Sequence, residues 1–509
     1  MSLKRNIITS YISQFYATLI GIFLIPMYVR YMGVEAYGLI GFFAMLQAWI
    51  SLLDMGLTQT LARETARFFK GSDEDALQLR RLVHSLECIF MCMALVGCIA
   101  MILGSGSIAG SWLKVRQLPL QEVQRSISLM AVTFGLRLVC NLYRGAITGF
   151  ERLVWLSGLN VALATARYVL VIPVFIFVGT TPTDFFAYQL AIAVLETIIL
   201  ANQTYRLLPK INSLHRLFWQ WGPLRALLKF SLSMAVTNMI WVAVTQTDKL
   251  LLSKLLPLDE FACFSLATTL ASGLFMLSTP ISAALLPRLT RLAAEQNQPG
   301  LIGLYRESTQ LVGVIVIPAV LVLSLFAKQV VLAWTGNADF AQKVAPILSL
   351  YALGNGIVAL ASFPYYLQAA KGDLRLHVIG NVLLCVILIP ALVWGTLHYG
   401  AIGAGYAWTA VNALFFLFGA PAVHRRFVKG LHTQWLLWDI GVIALSSSAV
   451  ATVIFYSFSW PSGRLAVGVC ILILSALLLA VSSASSSQMR AKIGARWRFL
   501  VESRDEKIT

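Results

Sequence analysis

The chain has 509 residues, 58% hydrophobic and 12% charged, with a mean hydropathy of +0.78 and a formal net charge of +17. A soluble globular domain is roughly 45–50% apolar and about 25% charged. Here the apolar excess runs over the whole length, which excludes a soluble domain on a single anchor. The basic residues sit in short loops between apolar runs, where they set topology and meet anionic headgroups. They point to membrane lipids as partners and not to nucleic acid.

Windows of about 20 apolar residues, the length that crosses a bilayer, predict an all-α polytopic membrane protein of about fourteen helices. In chain order they cover 8–30, 36–59, 82–104, 124–149, 153–178, 184–206, 228–253, 260–286, 304–326, 345–369, 376–397, 402–423, 435–457 and 464–485. The first follows Lys4 and Arg5 and runs past Pro26, too long for a signal-peptide core, so it reads as a retained membrane helix. Prolines at 26, 173, 280, 318, 364 and 390 lie within or near the ends of spans, as static bends or hinges. Lys and Arg favour alternate loops by about threefold, and the positive-inside rule then places both termini in the cytoplasm. The stretch 207–228, with Trp219 and Trp221 among basic residues, predicts an interfacial helix. The tail 488–504, with Met489, Ile493 and Trp497 between arginines, predicts another.

An internal repeat joins distant turns. Arg30–Gly38 aligns without a gap on Lys254–Ala262, at an offset of 224 residues: basic, two apolar, turn former, apolar, acid, then an aromatic and a small residue. The offset maps the first helix onto the seventh. It predicts a six-helix lobe at 1–206, a cytoplasmic linker at 207–227, a second six-helix lobe at 228–424, an added helix pair at 425–485 and a tail at 486–509. Six is even, so the lobes have parallel topology, and rocking between them would give alternating access.

Ionisable residues deep in a membrane cost about 2.5–3.5 kcal/mol each on insertion scales, so they face a cavity or a partner. The fourth helix places Thr133, Arg137, Asn141, Arg144 and Thr148 at spacings that share one helical face. The fifth adds Asn160 and Arg167 seven apart. The second carries Gln47, Ser51, Asp54 and Thr58 on one face, and the sixth Gln189, Glu196 and Gln203. Arginine forks match phosphate oxygens bidentately. Arg137, Arg144 and Arg167, with Lys249, Asn141 and Asn160, are therefore the candidate anion-binding set. Competing readings stay open: snorkelling for Arg144, and ion pairing to Glu196 or Glu87 for Arg137 and Arg167. Asp248 and Lys249 could anchor the end of a helix. Glu196, Asp54 and Asp248 are the candidates for ion coupling, with Glu196 at mid-span the best placed and an interface role the simpler reading for Asp54.

No cofactor or metal is implied. The seven cysteines fall inside apolar runs with no CxxC, and GxxxxGK[ST], HExxH and GxSxG do not occur.

The run Pro26–Leu39, the stretch Leu53-Asp54-Met55-Gly56-Leu57, the segment Thr245–Lys254 with Asp248 and Lys249, and Tyr399–Ala404 resemble the Wzx type of O-antigen and polysaccharide-repeat flippases. The resemblance covers essentially the full chain. It implies the multidrug/oligosaccharidyl-lipid/polysaccharide exporter superfamily, with two six-helix lobes in a V and often two further helices. It further implies a cationic cavity, export of undecaprenyl-diphosphate-linked oligosaccharide across the bacterial inner membrane, and coupling to an ion gradient as has been proposed for the family. A polysaccharide polymerase and a chain-length regulator are the protein partners this implies. Lipid II flippases of the superfamily carry arginines in the first helix. This chain has Tyr11, Gln14 and Thr18 there and no basic residue before Arg30, which argues against lipid II. A drug/cation antiporter of the same superfamily would favour an acidic cavity. A membrane polymerase or ligase would need a long outer loop, and the outer loops at 105–123 and 327–344 are short.

Overall fold

A membrane offers no water to backbone N–H and C=O groups, so a spanning chain must pair them within each helix. The structure, a computed structural model, meets that demand throughout the residues it describes, which are 3–67, 73–209, 239 and 242–491. The expected interfacial segments at 207–228 and 488–504 lie outside the described residues apart from 207–209 and 488–491. Most of the expected seventh helix lies outside them too.

Packing divides the chain into two compact units, Met1–Ala262 and Cys263–Thr509. The first holds α1 (Leu3–Met32), α2 (Val34–Ile50), α3 (Leu57–Arg67), α4 (Asp73–Ser107), α5 (Leu120–Gly149), α6 (Leu153–Tyr168), α7 (Val171–Phe177), α8 (Pro182–Leu207) and α9 (242–255). The second holds α11 (Gln298–Leu325), α12 (Ala327–Thr335), α13 (Ala338–Ala370), α14 (Arg375–Phe427), α15 (Leu431–Gln434), α16 (Val442–Ser457) and α17 (Arg464–Ser485). Between these in sequence, α10 (Leu258–Ala294) begins in the first unit and runs on into the second.

Among the described residues twelve segments are long and apolar enough to span a bilayer. One of them, α14, has 53 residues, about 80 Å of helix against an apolar core of about 30 Å. It folds back at Gly400, where φ is +60° and ψ −144°, a backbone conformation that only glycine adopts easily. The two helices expected at 376–397 and 402–423 are its two arms.

Elsewhere sequence and structure part for local reasons. The expected span 153–178 breaks into α6 and α7, because Pro173 has no N–H to give the carbonyl one turn back. The chain turns instead through Val169 and Leu170, whose N–H groups both reach Thr165 O. The expected span 36–59 ends at a 3-10 turn, Ser51–Asp54. Beyond it α3 is a separate, largely polar helix with Leu57, Thr60, Leu61 and Thr65 buried. The loop at 327–344 contains α12, which the hydrophobic windows did not separate.

In lipid, apolar burial does not drive helices together, and close packing does. The first unit packs Leu61, Leu86, Phe90, Leu138, Leu142 and Leu200 into one cluster. The second packs Tyr305, Phe326, Phe363 and Trp435. Large apolar side chains such as Leu103, Phe177, Tyr456 and Leu465 remain more than three-quarters exposed, as side chains facing acyl chains do.

Candidate functional site

α5 is the middle of the first unit: α3, α4 and α8 all pack on it. Its apolar faces are buried by these neighbours, while Arg137, Asn141 and Arg144 stay half-buried and Thr148 is exposed. Thr133 is fully buried and closes on its own helix, donating to Leu129 O. Arg137, Asn141 and Arg144 line a cavity of about 380 Å³, with Gln47 from α2, Asn160 and Arg167 from α6, and Glu196 from α8.

The wall of this cavity is a charged network. Arg144 donates through Nη1 to Asn160 Oδ1 at 2.5 Å and through Nη2 to Glu196 Oε1 at 2.6 Å. Arg167 donates through Nη2 to Glu196 Oε2. Glu196 is 2% exposed, whereas the arginine side chains keep 25% and 20% of their surface open. Gln189 Nε2 and Tyr188 Oη of α8 donate to Arg167 O and Ala166 O, fixing the end of α6 that carries Arg167.

Arg137 has a different setting. Its Nη1 donates to Gln47 Oε1 at 2.6 Å, and its guanidinium lies 5.0 Å from the centre of the Phe43 ring, which is itself stacked on Phe134. Among the described residues it has no carboxylate in ion-pair contact. The buried Nε–H groups of both Arg137 and Arg167 lack a hydrogen-bond partner. A buried unpartnered donor costs about 1–3 kcal/mol, so the arginines are held here with part of their hydrogen-bonding capacity unused.

Arg144, Asn160 and Arg167 also border a second chamber of about 400 Å³, whose far side carries Ser10, Ser13 and Gln14 of α1 and Ser157 of α6. Two guanidiniums, those of Arg144 and Arg167, therefore stand between the two chambers, while Arg137 faces the first alone, beside Phe134.

The remaining sequence candidates fall elsewhere. Lys249 donates to Thr245 O and to Asp248 Oδ1, and neither residue lines these chambers. Asp54 accepts from the N–H and the hydroxyl of Thr58 and so caps the first turn of α3. Glu87 accepts from Tyr205 Oη and pairs with His84, away from the arginines. Hydrophobic windows and polar faces located the arginine wall. They did not identify Phe134 as a lining residue or Phe43 as the ring against Arg137, because aromatic residues in a span read as lipid-facing or core. Ser10, Ser13 and Ser157 were missed because serine is common in membrane helices; their three-residue spacing from each other and from Asn160 was the available signal.

Comparison with known proteins follows this geometry. The family described as polysaccharide biosynthesis protein matches residues 3–293. A Shigella flexneri protein named for O-antigen transport is 21% identical over 412 residues, covering 80% of this chain and 94% of its own. The inward closed conformation of the lipid II flippase MurJ superposes with a TM-score of 0.72 at 13% identity, over 94% of this chain and 98% of that one. An inward-facing multidrug resistance MATE family transporter of the MOP superfamily superposes with a TM-score of 0.66 at 16% identity, over 81% and 96% of the two chains. At such identities the likeness is one of fold.

Proposed function

The chain belongs to the polysaccharide biosynthesis protein family, and we propose that it is a flippase for a lipid-linked oligosaccharide. The substrate in this reading is an undecaprenyl-diphosphate-linked repeat unit, moved from the cytoplasmic to the outer leaflet of the bacterial inner membrane. Both termini lie in the cytoplasm, in keeping with the Lys and Arg bias of the loops. Lobes at 1–206 and 228–424 alternate access to the substrate, with an added helix pair at 425–485.

One observation carries the proposal. Three guanidiniums line one cavity with a single carboxylate among them, and Arg144 and Arg167 keep about a quarter and a fifth of their side-chain surface open. A diphosphate supplies acceptor oxygens in the planar pairs that guanidinium forks match. The hydroxyl-rich second chamber offers hydrogen-bond partners to sugar hydroxyls beside it. A drug/cation antiporter would need an available carboxylate, and both oxygens of Glu196 are engaged by arginine.

The test is to replace Arg137, Arg144 and Arg167 together by Ala in a strain that depends on this chain for surface polysaccharide, with membrane abundance followed in parallel. Surface repeats should disappear while the protein remains in the membrane. Triple replacement by Lys should restore part of the output, since charge returns without the fork. Normal polysaccharide in the alanine triple variant would overturn the assignment.

A further inference from the structure

Glu196 occupies the same donors that a bound anion would use. Its two oxygens accept from Arg144 Nη2 and Arg167 Nη2, and it is almost completely buried between them. A carboxylate in that place would be expected to steady the arginines. It also does something else: it takes from each fork a donor that faces the cavity wall.

Charge makes the point sharper. Three guanidiniums and one carboxylate leave two positive charges on the wall. A diester of diphosphoric acid bears two negative charges, one on each phosphoryl group. A diester of phosphoric acid bears one. With Glu196 ionised the wall matches the first, and with Glu196 neutralised it would exceed it by one.

We infer that Glu196 is an internal competitor for the anion, a specificity and release residue that holds the arginine wall at the charge of a diphosphate diester and keeps the substrate from being held too tightly. The inference rests on the reading of this cavity as an anion site. Binding proceeds at the guanidinium surface that Arg137, Arg144 and Arg167 present to the cavity and draws Arg144 and Arg167 off Glu196. As the anion leaves, the carboxylate takes back both donors, so release does not strand buried charges. A ligand that must displace a partner binds more weakly by the free energy of that displacement, and a transporter needs that limit because it must let go on the far side.

The probes are inorganic pyrophosphate, which carries more charge than a diester, and dimethyl diphosphate with one methyl ester on each phosphorus, which carries the two charges of one. Each is titrated calorimetrically into the full chain purified in detergent, beside Glu196→Gln, Glu196→Asp and, as a control outside both chambers, Glu87→Gln. Hydrogen bonds to charged groups contribute about 1.5–3 kcal/mol, so Glu196→Gln should bind both probes at least about tenfold more tightly than the unaltered chain. Surface polysaccharide should fall in the same variant, the split of tighter binding and slower delivery that a merely structural carboxylate would not produce. Glu196→Asp withdraws the carboxylate by one methylene and should shift affinity in the same direction by less, which gives the answer if the Gln variant fails to fold. Glu87→Gln should match the unaltered chain. Unchanged or weaker binding of either probe in the folded Glu196 variants overturns the inference while leaving the anion site standing. Pyrophosphate binding that ignores Arg137→Ala and Arg167→Ala removes the site itself, a distinct outcome.

Discussion

A single acidic residue can be read as a transport group or as a fastener, and Asp54 shows how geometry decides. Its Oδ1 accepts from both the N–H and the hydroxyl of Thr58, supplying a partner to one of the N–H groups that the start of any helix leaves open. Asp54→Asn keeps that acceptor and should leave polysaccharide export near normal. Asp54→Ala removes it and should lower stability by about 1 kcal/mol, the usual effect of losing a helix cap, read as a fall in thermal midpoint in detergent. Export lost in Asp54→Asn with stability unchanged would instead return Asp54 to ion coupling. Arg137, Arg144 and Arg167 were legible as a set because each costs too much to bury without purpose. Which of them meets a carboxylate was not legible, since Glu87 and Glu196 were equally available on paper. Only the packing of α8 on both α5 and α6 brings Glu196 to Arg144 and Arg167 and leaves Arg137 to Gln47.

At the scale of elements, the repeated turn signature gains a physical meaning. Glu35 in the first copy is buried and accepts from the backbone N–H groups of Arg116, Gln117 and Leu118, at 2.5, 2.8 and 3.0 Å. Asp259, its counterpart in the second copy, lies 3.7 Å from the Arg116 guanidinium. Leu258 N donates to Lys114 O, and Lys114 Nζ donates to Leu255 O. Both turns are thus fastened to one segment, 113–118. A Cβ on Gly38 would lie 2.5 Å from Leu258 O, so glycine there allows the two turns to touch. Glu35→Ala would strand three N–H groups at once and should cost about 3 kcal/mol or more, measured as an equal loss in thermal stability. A loss below about 0.5 kcal/mol would mean that water takes the place of the carboxylate and that the fastening is slack.

Over the whole molecule, the candidate site and the main stabilising polar cluster of the second unit are separate. In that unit Arg306 pairs with the fully buried Asp439, and Gln310 donates to the same carboxylate. Gln310 Oε1 accepts from Ser486, Ser487 and the N–H of Gln488. This cluster ties the end of α17 to α11 and to the turn of 435–441. Asp439→Ala leaves Arg306 without its carboxylate and takes one of two acceptors from Gln310 Nε2, which keeps Ser487 Oγ, and should destabilise the protein by about 3 kcal/mol. Because every residue of the two chambers belongs to Met1–Ala262, pyrophosphate affinity should stay within about twofold of normal, given the near-independence of sites that share no partners. A parallel loss of affinity would show that the second unit shapes the first unit's chambers.

The sequence by itself determined that this is an all-α membrane protein, roughly where most of its spans lie, and that Arg137, Arg144 and Arg167 sit on polar helix faces within those spans. Those properties follow from hydrophobic length and helical periodicity, which are local along the chain and survive without any knowledge of neighbours. Tertiary structure alone decided that Glu196 faces two of the three arginines, that Phe43 lies against Arg137 and Phe134 while serines line the second chamber, and that Gln310 joins α11 to the end of α17. Each of these is a meeting of residues far apart in the chain, fixed by how helices rotate and cross when their surfaces interlock, and no periodicity within one helix encodes the angle at which another will lie against it.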